Sequence, residues 1–190
     1  RIEHTYSDGD CTMSILKVQE LQHTNGTNAL TIDTAGTVSV PGHVVNVTTA
    51  SYNTGASYSA NTSYVNTATL GTVTTKLANS KIMIVTDVPI QTQKQNTIWS
   101  VALRSSIDSY ASNLVIKHFV RYSTNDHTSG FTGMTYLHNT SVAAGTAITY
   151  RYYVKASNSG GGGWYCIDQW GVSNTSSDYA FTTNMIEIAT

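Results

Sequence analysis

The sequence predicts an all-β chain that folds as an antiparallel β-sandwich, and three observations support this. Residue types that favour strands are abundant, and Tyr alone supplies 12 aromatic residues. Ser, Thr and Asn together make up 65 of the 190 residues, and Ser, Asn and Gly mark turns between short apolar runs. No stretch of about 12 residues places apolar side chains at the 3.6-residue spacing of a helix. Eight or more short strands in one domain indicate a sandwich or jelly roll.

The first part of the chain predicts a small appendage rather than a domain. Residues 1–12 are polar and aperiodic, which is typical of a leader or linker. Residues 13–41 contain two short runs, 29–33 and 37–40, which predict a β-hairpin. Asn25 and Gly26 form a tight-turn signal that needs positive φ. Because the hairpin has almost nothing to bury, it needs a partner surface for attachment or trimerisation.

Residues 42–190 predict a jelly-roll domain with short strands and polar turns. Residues 50–68 are rich in Ser, Thr, Asn and Tyr, and are expected to form a long loop or an edge ribbon. The run at 80–91 contains Pro89, which indicates a strand edge or a bulge there. The strand candidates are residues 43–49, 69–77, 80–91, 97–105, 114–122, 146–156, 164–172 and 184–190.

Two candidate strands have an alternation that assigns their faces. In 146–156, Arg151 and Lys155 lie opposite the apolar residues, which is typical of a half-buried antiparallel strand. In 114–122, Lys117 and Arg121 define one face, and the expected core face carries Leu114, Ile116, His118, Val120 and Tyr122. Two interpretations of His118 stay open: a hydrogen-bonded histidine within the core face, or a residue stacked with its copies on a trimer axis.

Charge and motif content disfavour several classes of function. The formal net charge is −1 and 11% of residues are charged, which gives no electrostatic reason to expect a nucleic acid or an anionic membrane as a partner. The sequence contains no run of 18 apolar residues, so it does not predict a segment that inserts into a membrane. The spacings of His and Cys predict no metal site, and no cofactor motif occurs. The carboxylates are scattered, so a polysaccharide-degrading enzyme is disfavoured and the chain is expected not to be an enzyme.

Aromatic residues beside small polar residues are the candidates for ligand or receptor contact. Tyr52, Tyr58 and Tyr64 lie in the polar stretch at 50–68, and Trp164 follows a run of four glycines. Tyr and Trp among Ser, Gly and Asn are typical of surfaces that recognise polar ligands such as glycans. The alternative interpretation is that these rings pack under their own loops or at subunit contacts.

Several motifs resemble those of one viral family. The opening "MSILKVQELQHTNGTNALTIDTAGTVSV", the internal "NSKIMIVTDVPI" and "AGTAITYRYYVKAS", and the terminal "MIEIA" resemble virion structural and tail-fibre proteins of marine tailed bacteriophages. The sequence "YLHNTSVAAGT" departs from the family's pattern, which has an Asp and a Pro in this turn. The long stretch at 50–68 is a second departure, and residues 1–12 lie outside the resemblance.

The resemblance implies a non-enzymatic virion component whose C-terminal domain is a C1q/TNF-like jelly roll. It implies a homotrimer in which the N-terminal segment attaches to other virion proteins of the tail or capsid. The leading hypothesis is a tail fibre or spike that contacts the host surface, with a surface glycan as a candidate partner. The alternative is a head fibre or capsid decoration protein.

Overall fold

The computed structural model describes residues 20–22, 28–32, 38–52, 57–59, 61–92, 97–121, 128–157, 164–166 and 181–190. These residues form thirteen strands and one short 3-10 helix. The strands are β1 Glu20–Gln22, β2 Asn28–Ile32, β3 Val38–Ser39, β4 Val44–Tyr52, β5 Ser57–Ser59, β6 Val65–Thr74, β7 Lys81–Thr92, β8 Thr97–Ser105, β9 Val115–Arg121, β10 Thr128–Asn139, β11 Ala147–Ala156, β12 Trp164–Cys166 and β13 Phe181–Ile188. The 3-10 helix, Ser106–Asp108, follows β8 directly. No helix among the described residues is long and apolar enough to cross a membrane.

The N-terminal segment is a separate three-stranded sheet in the order β1-β2-β3. The predicted pairing of its two runs is present, because Ile32 lies opposite Val38 in an antiparallel register. A third strand, β1, pairs with the other side of β2, with Leu21 opposite Leu30. The Asn-Gly pair falls between β1 and β2, and both of its residues lie outside the described residues.

The predicted antiparallel β-sandwich is confirmed. Its first sheet has the strand order β4-β13-β7-β10, and its second has the order β6-β11-β8-β9. Eight strands divided in this way between two antiparallel sheets form a jelly roll. A short ribbon, β5-β12, continues the first sheet along the end of β7. Strand β5 of the ribbon lies within the polar stretch at 50–68, for which a loop or an edge ribbon was expected. That expectation is wrong at both ends of the stretch, because 50–52 belong to β4 and 65–68 to β6, where Thr67 and Ala68 are buried.

The core lies between the two sheets, and β11 and β13 fill it with every second residue. In β11 the burial alternates strictly from Ile148 to Ala156. Trp99, Tyr150 and Tyr152 are the largest fully buried side chains. Gly71 of β6 lies close against β4 of the other sheet, since a Cβ at this position would lie 2.6 Å from Ala50 Cβ.

Strand β7 shows why its proline is tolerated. Its pairing with β13 ends at Thr86, and its pairing with β12 begins at Gln91. Pro89 lies between these two points, so none of the described residues pairs with it on this side, where its missing N–H costs no ladder bond to them. On the other side Pro89 lies opposite Phe131 of β10. Pro89 is therefore part of a long strand, and not of a separate strand edge, on its β10 side.

The face predicted for β9 is wrong. Ile116 is 39% exposed and shares the outward face with exposed His118, whereas Val115 packs against the core. Lys117 was expected on the solvent-facing side of the strand. It has the inward parity instead, because it lies directly opposite Val101, which is buried. Since β9 is an edge strand, its inward-parity lysine still reaches solvent, and such charges hinder edge-to-edge association.

Candidate functional site

The second sheet concentrates the positive charge of the molecule. Its four strands contain no Asp or Glu, and they carry five of the ten Lys and Arg residues of the chain: Arg104, Lys117, Arg121, Arg151 and Lys155. The four long strands of the first sheet carry Lys81, Asp87 and Glu187. A chain with a net charge of −1 therefore has one basic sheet, whose field attracts anions.

Three of these cations project from the outer surface of the second sheet, which we call the basic face. Arg151 and Lys155 occupy the outward positions of β11, between fully buried residues. Arg104 of β8 lies directly opposite Arg151 in the register of the two strands. The strict alternation of β11 thus places its polar residues on the side away from the core.

Tyrosines separate the cations on the basic face. The Arg104 guanidinium lies 4.9 Å from the Tyr64 ring centroid and 4.5 Å from that of Tyr153. Lys155 Nζ lies 4.8 Å from the same Tyr64 ring, and the Arg151 guanidinium lies 4.3 Å from the Tyr110 ring. Contacts of this kind attract a cation to the ring face. They hold three like charges side by side on one sheet.

Hydrogen bonds fix the central arginine further. Arg104 Nε donates to Asn113 Oδ1 over 2.7 Å, and its Nη1 donates to the Tyr110 carbonyl over 2.9 Å. Tyr110 has a positive φ of 64°, in a turn that follows the 3-10 helix. The turn brings the Tyr110 ring over the basic face. The sequence alone does not mark Arg104 or Tyr110 as residues of this face, because their contacts depend on the turn after the 3-10 helix and on the register of β8 with β11.

A cavity of about 380 Å³ opens at the end of the basic face where β8 begins and β11 ends. Lys155, His118 and Ser100 contribute the polar side chains of its wall, with Thr62 and Ser157. Ser100 Oγ and His118 Nδ1 lie 2.8 Å apart, because these residues are directly opposite each other on β8 and β9. Ile98, which is 44% exposed, supplies an apolar wall.

Tyr64 lies between this cavity and the rest of the basic face. Burial raises the pKa of its hydroxyl, while Arg104 and nearby Ser100 oppose that rise. The Lys155 ammonium and the Arg104 guanidinium both lie within reach of this one ring, at 4.8 Å and 4.9 Å from its centroid. Tyr64 therefore positions the lysine of the cavity.

The cavity combines a largely apolar wall with a few polar side chains, one of them cationic. Its described lining provides an ammonium, an imidazole and hydroxyl groups, and it contains no carboxylate. The Ser100 hydroxyl lies beside Nδ1 of His118, and none of the described lining residues is an Asp or Glu that could orient the ring as in a Ser-His-Asp triad. Within the described ranges, no cluster of three or more His, Cys, Asp or Glu side chains could hold a metal ion.

The outer surface of the first sheet is different, and we call it the apolar face. One row crosses all four of its strands, in which Val47, Ile186, Met83 and Leu137 lie directly opposite one another in turn. Val47 is 56% exposed and Leu137 is 47% exposed. Neighbouring rows add Val44, Val85 and Ile188. Solvent-facing apolar residues that form such a continuous surface mark an interaction site.

The structure separates the residues predicted for ligand contact. The Tyr52 ring packs against the core beside Phe181, with ring centroids 5.0 Å apart, so Tyr52 has a packing role here. Tyr64 lies on the basic face. Tyr58 and Trp164 lie in β5 and β12, and their side chains lie outside what the structure describes. Receptor contact by these residues stays a prediction.

His118 also has a definite place. It is exposed on the outer surface of the second sheet, so the interpretation of a histidine within a core face is wrong. A position on a trimer axis stays a prediction. The apolar face lies on the opposite side of the sandwich from His118.

Comparisons with known proteins give no family. No protein-family model matches the chain, and no curated protein matches it. Solved structures of infectious bursal disease virus resemble it. The Gx strain matches at 12% sequence identity with a TM-score of 0.38, and the Gt strain matches at 9% sequence identity with a TM-score of 0.40. These matches cover 98% of this chain but only 41% and 47% of the matched chains, so this chain spans less than half of their length. A VP2 subviral particle of the same virus matches at 13% identity and TM-score 0.35. These TM-scores are too low for the likeness to carry an argument.

Proposed function

We propose that this chain is a structural protein of a bacteriophage virion, a homotrimeric tail fibre or spike. Residues 13–41 attach it to other virion proteins, and the jelly roll faces the host surface. The proposal begins with the resemblance of the sequence motifs to virion proteins. The observation that supports it best is the contrast between the apolar face and the basic face of one sandwich.

The apolar face suits contact with copies of the same chain. Its central row of Val47, Ile186, Met83 and Leu137 contains no charged residue. Lys81 and Asp87 share the outward parity of β7 with Met83, but they lie on either side of this row, so identical copies that meet at the row bring no like charges together there. Strand β13 is apolar on both parities, since Met185 is in the core and Ile186 faces outward, and such strands are covered on both faces.

The basic face suits the environment rather than a symmetry mate. Copies that met through this face would place Arg104, Arg151 and Lys155 against the same residues, and like charges in contact disfavour association. A trimer built on the apolar face leaves the basic face outward on every subunit. In this arrangement His118 lies away from the three-fold axis.

The oligomeric state is tested by mass measurement of the full chain in native buffer at micromolar concentration. We expect a trimer for the parent, and dissociation for Leu137→Asp and for Val47→Asp. Ile116→Asp is the matched control, because it places the same charge at an exposed aliphatic residue of the opposite sheet. A parent that is monomeric, or a trimer that only Ile116→Asp disrupts, contradicts the proposed contact.

The place in the particle is tested by imaging intact virions labelled on this chain. Density at the tail tip supports the fibre or spike. Density spread over the capsid surface contradicts it and favours the decoration protein. Absence of the label from purified particles contradicts both virion roles.

A further inference from the structure

We propose that the cavity beside Lys155 and His118 binds an acidic sugar unit of a surface polysaccharide, through its carboxylate or sulfate. This inference deepens the host-surface contact proposed above and rests on it for its biological setting. The site itself is argued from the cavity and its neighbours alone. Four features support it: the volume, the donors, their preorganisation and the field of the basic sheet.

The volume and the lining match a small polar ligand. About 380 Å³ lies toward the lower end of the range for ligand sites, about 300–1,000 Å³. Such a space accepts a monosaccharide unit while the rest of a polymer passes over the rim. Ile98 and Ala156 form an apolar wall for the C–H face of a sugar ring, and Thr62 and Ser157 offer hydroxyl groups at the rim.

The cationic donor is held in place before any ligand arrives. Lys155 Nζ lies over the Tyr64 ring, and Arg104 occupies the same ring at a similar distance. The ring therefore restricts the lysine, which otherwise loses rotamer freedom when it binds. An ammonium that is already positioned forms a charge-assisted hydrogen bond to an anion at a lower entropic cost.

The imidazole is also oriented. The Ser100 hydroxyl occupies Nδ1 of His118 at 2.8 Å. Because Nδ1 is occupied, Nε2 is the ring nitrogen through which His118 would contact a ligand. Lys155 and His118 approach the cavity from β11 and β9, on either side of Ser100 in β8. The side chains of Lys155 and His118 thus line the same cavity.

The aromatic residues favour a polysaccharide over a nucleic acid. Single-stranded nucleic acids are bound by open aromatic faces on which bases stack. On the basic face the tyrosine rings already carry cations: Arg104 over Tyr64 and Tyr153, and Arg151 over Tyr110. Rings with an arginine over them hold the guanidinium groups in place, and the ring face that the arginine covers is not available for a base to stack on.

Calorimetric titration of the full chain at about 150 mM salt tests the site, since surface attraction is largely screened there. The probes are galacturonate oligosaccharides, heparin oligosaccharides, neutral dextran and a DNA oligonucleotide. We expect binding of a carboxylated or sulfated sugar, and the two arms tell which anion is preferred. We expect no binding of dextran.

Two variants test whether the ligand binds in the cavity. Lys155→Met removes the ammonium, and Thr62→Glu puts a carboxylate at the rim. Each should weaken binding about tenfold or more, as expected for the loss of one charge-assisted contact. The matched controls are Lys76→Met and Ala78→Glu, at exposed positions of the loop after β6, at the other end of the sandwich. Both controls should bind within about twofold of the parent, the difference expected when no contact is lost.

Three results overturn the site: no acidic sugar binds, Lys155→Met binds like the parent, or Lys76→Met weakens binding equally. A DNA oligonucleotide that binds more tightly than either sugar and loses affinity in Lys155→Met overturns the polysaccharide assignment. Native mass is measured on the same samples. A trimer without binding rejects the site alone, whereas binding by a monomer supports the site and contradicts the trimer.

Discussion

Glu187 on the last strand accepts hydrogen bonds from the backbone N–H of Lys76, on the loop that follows β6. Both carboxylate oxygens lie 2.9 Å from Lys76 N, and Oε1 also lies 2.9 Å from Leu77 N. Glu187 is fully buried, and the hydrogen bonds from these N–H groups offset the free-energy cost of removing its carboxylate from water. One carboxylate therefore ties β13 of the first sheet to a loop that begins at the second.

Glu187→Gln should destabilise the fold by about 2–4 kcal/mol, because the buried acceptor loses its charge and its new NH₂ group replaces the oxygen that faced the Lys76 N–H, so a donor meets a donor. Chemical denaturation measures this loss. Asp87→Asn is the matched control, since Asp87 is an exposed carboxylate on a strand of the same sheet. It should change stability by less than about 0.5 kcal/mol. Equal losses in the two variants would show that Glu187 acts only through net charge.

Gly71→Ala should destabilise the sandwich by about 2–4 kcal/mol through overpacking and backbone strain. The new Cβ would lie 2.6 Å from Ala50 Cβ and 2.7 Å from Met185 Cε, and the φ of Gly71 is +147°. Thermal melting measures the effect. Gly145→Ala is a control with positive φ but no atom within 4 Å, so it isolates the backbone contribution. Adding Ala50→Gly to Gly71→Ala should restore part of the loss, and no recovery would contradict the steric cause.

The sequence predicted the sandwich because apolar residues alternate clearly in its central strands. In β11 every second residue from Ile148 to Ala156 is buried, as the pattern requires. Strand β10 was missed. Its run "TSGFTGMTYLHN" contains two glycines and many polar residues, so its own composition is a poor strand signal. Its stability comes from pairing with β7 along its full length, from Thr128 to Asn139.

The basic face could be predicted only in part. The alternation of β11 correctly placed Arg151 and Lys155 outside. The tyrosine contacts of Arg104 could not be read from sequence, because Tyr64 precedes it by about forty residues and Tyr153 follows by about fifty. In β9 apolar residues occur on both faces of the strand, so the apolar pattern alone does not assign the faces. The predicted assignment therefore depended on Lys117 as a marker of the solvent-facing side. At a sheet edge a lysine of inward parity still reaches water, and the prediction failed for that reason.

Gly26→Val should disturb the small N-terminal sheet and leave the jelly roll folded. The Asn25–Gly26 pair connects β1 to β2, and a β-branched residue at positive φ costs about 1–3 kcal/mol. Because this sheet has few apolar residues, such a cost is large relative to its stability. Hydrogen exchange should show faster exchange in β1 and β2 with unchanged protection in β7 and β11. Parent-like exchange and particle incorporation would contradict the turn assignment.

Stability should fall as the pH drops below the ordinary histidine pKa of 6.5, because of His138. Burial lowers the pKa of this ring, whose Nδ1 lies 2.9 Å from the Tyr150 hydroxyl. Between the lowered pKa and 6.5 the unfolded chain binds a proton that the folded chain does not, so His138 favours folding above 6.5 and loses this contribution below it. The slope is at most about 1.4 kcal/mol per pH unit. His138→Gln should flatten the stability profile between about pH 5 and 7, a range in which carboxylates stay ionised. An unchanged slope would assign the effect elsewhere.

Tyr64→Leu should loosen the basic face, whereas Tyr64→Phe should largely preserve it. The ring holds Arg104 at 4.9 Å and Lys155 at 4.8 Å, and each contact contributes about 0.5–1 kcal/mol at an exposed site. The leucine variant should therefore lose about 1–2 kcal/mol of stability and bind acidic sugars less tightly, because Lys155 is no longer positioned. The phenylalanine variant keeps both ring contacts and removes only the hydroxyl beside Ser100. Denaturation and sugar titration on both variants separate the ring from the hydroxyl. Equal effects of Leu and Phe would show that the hydroxyl matters instead of the ring.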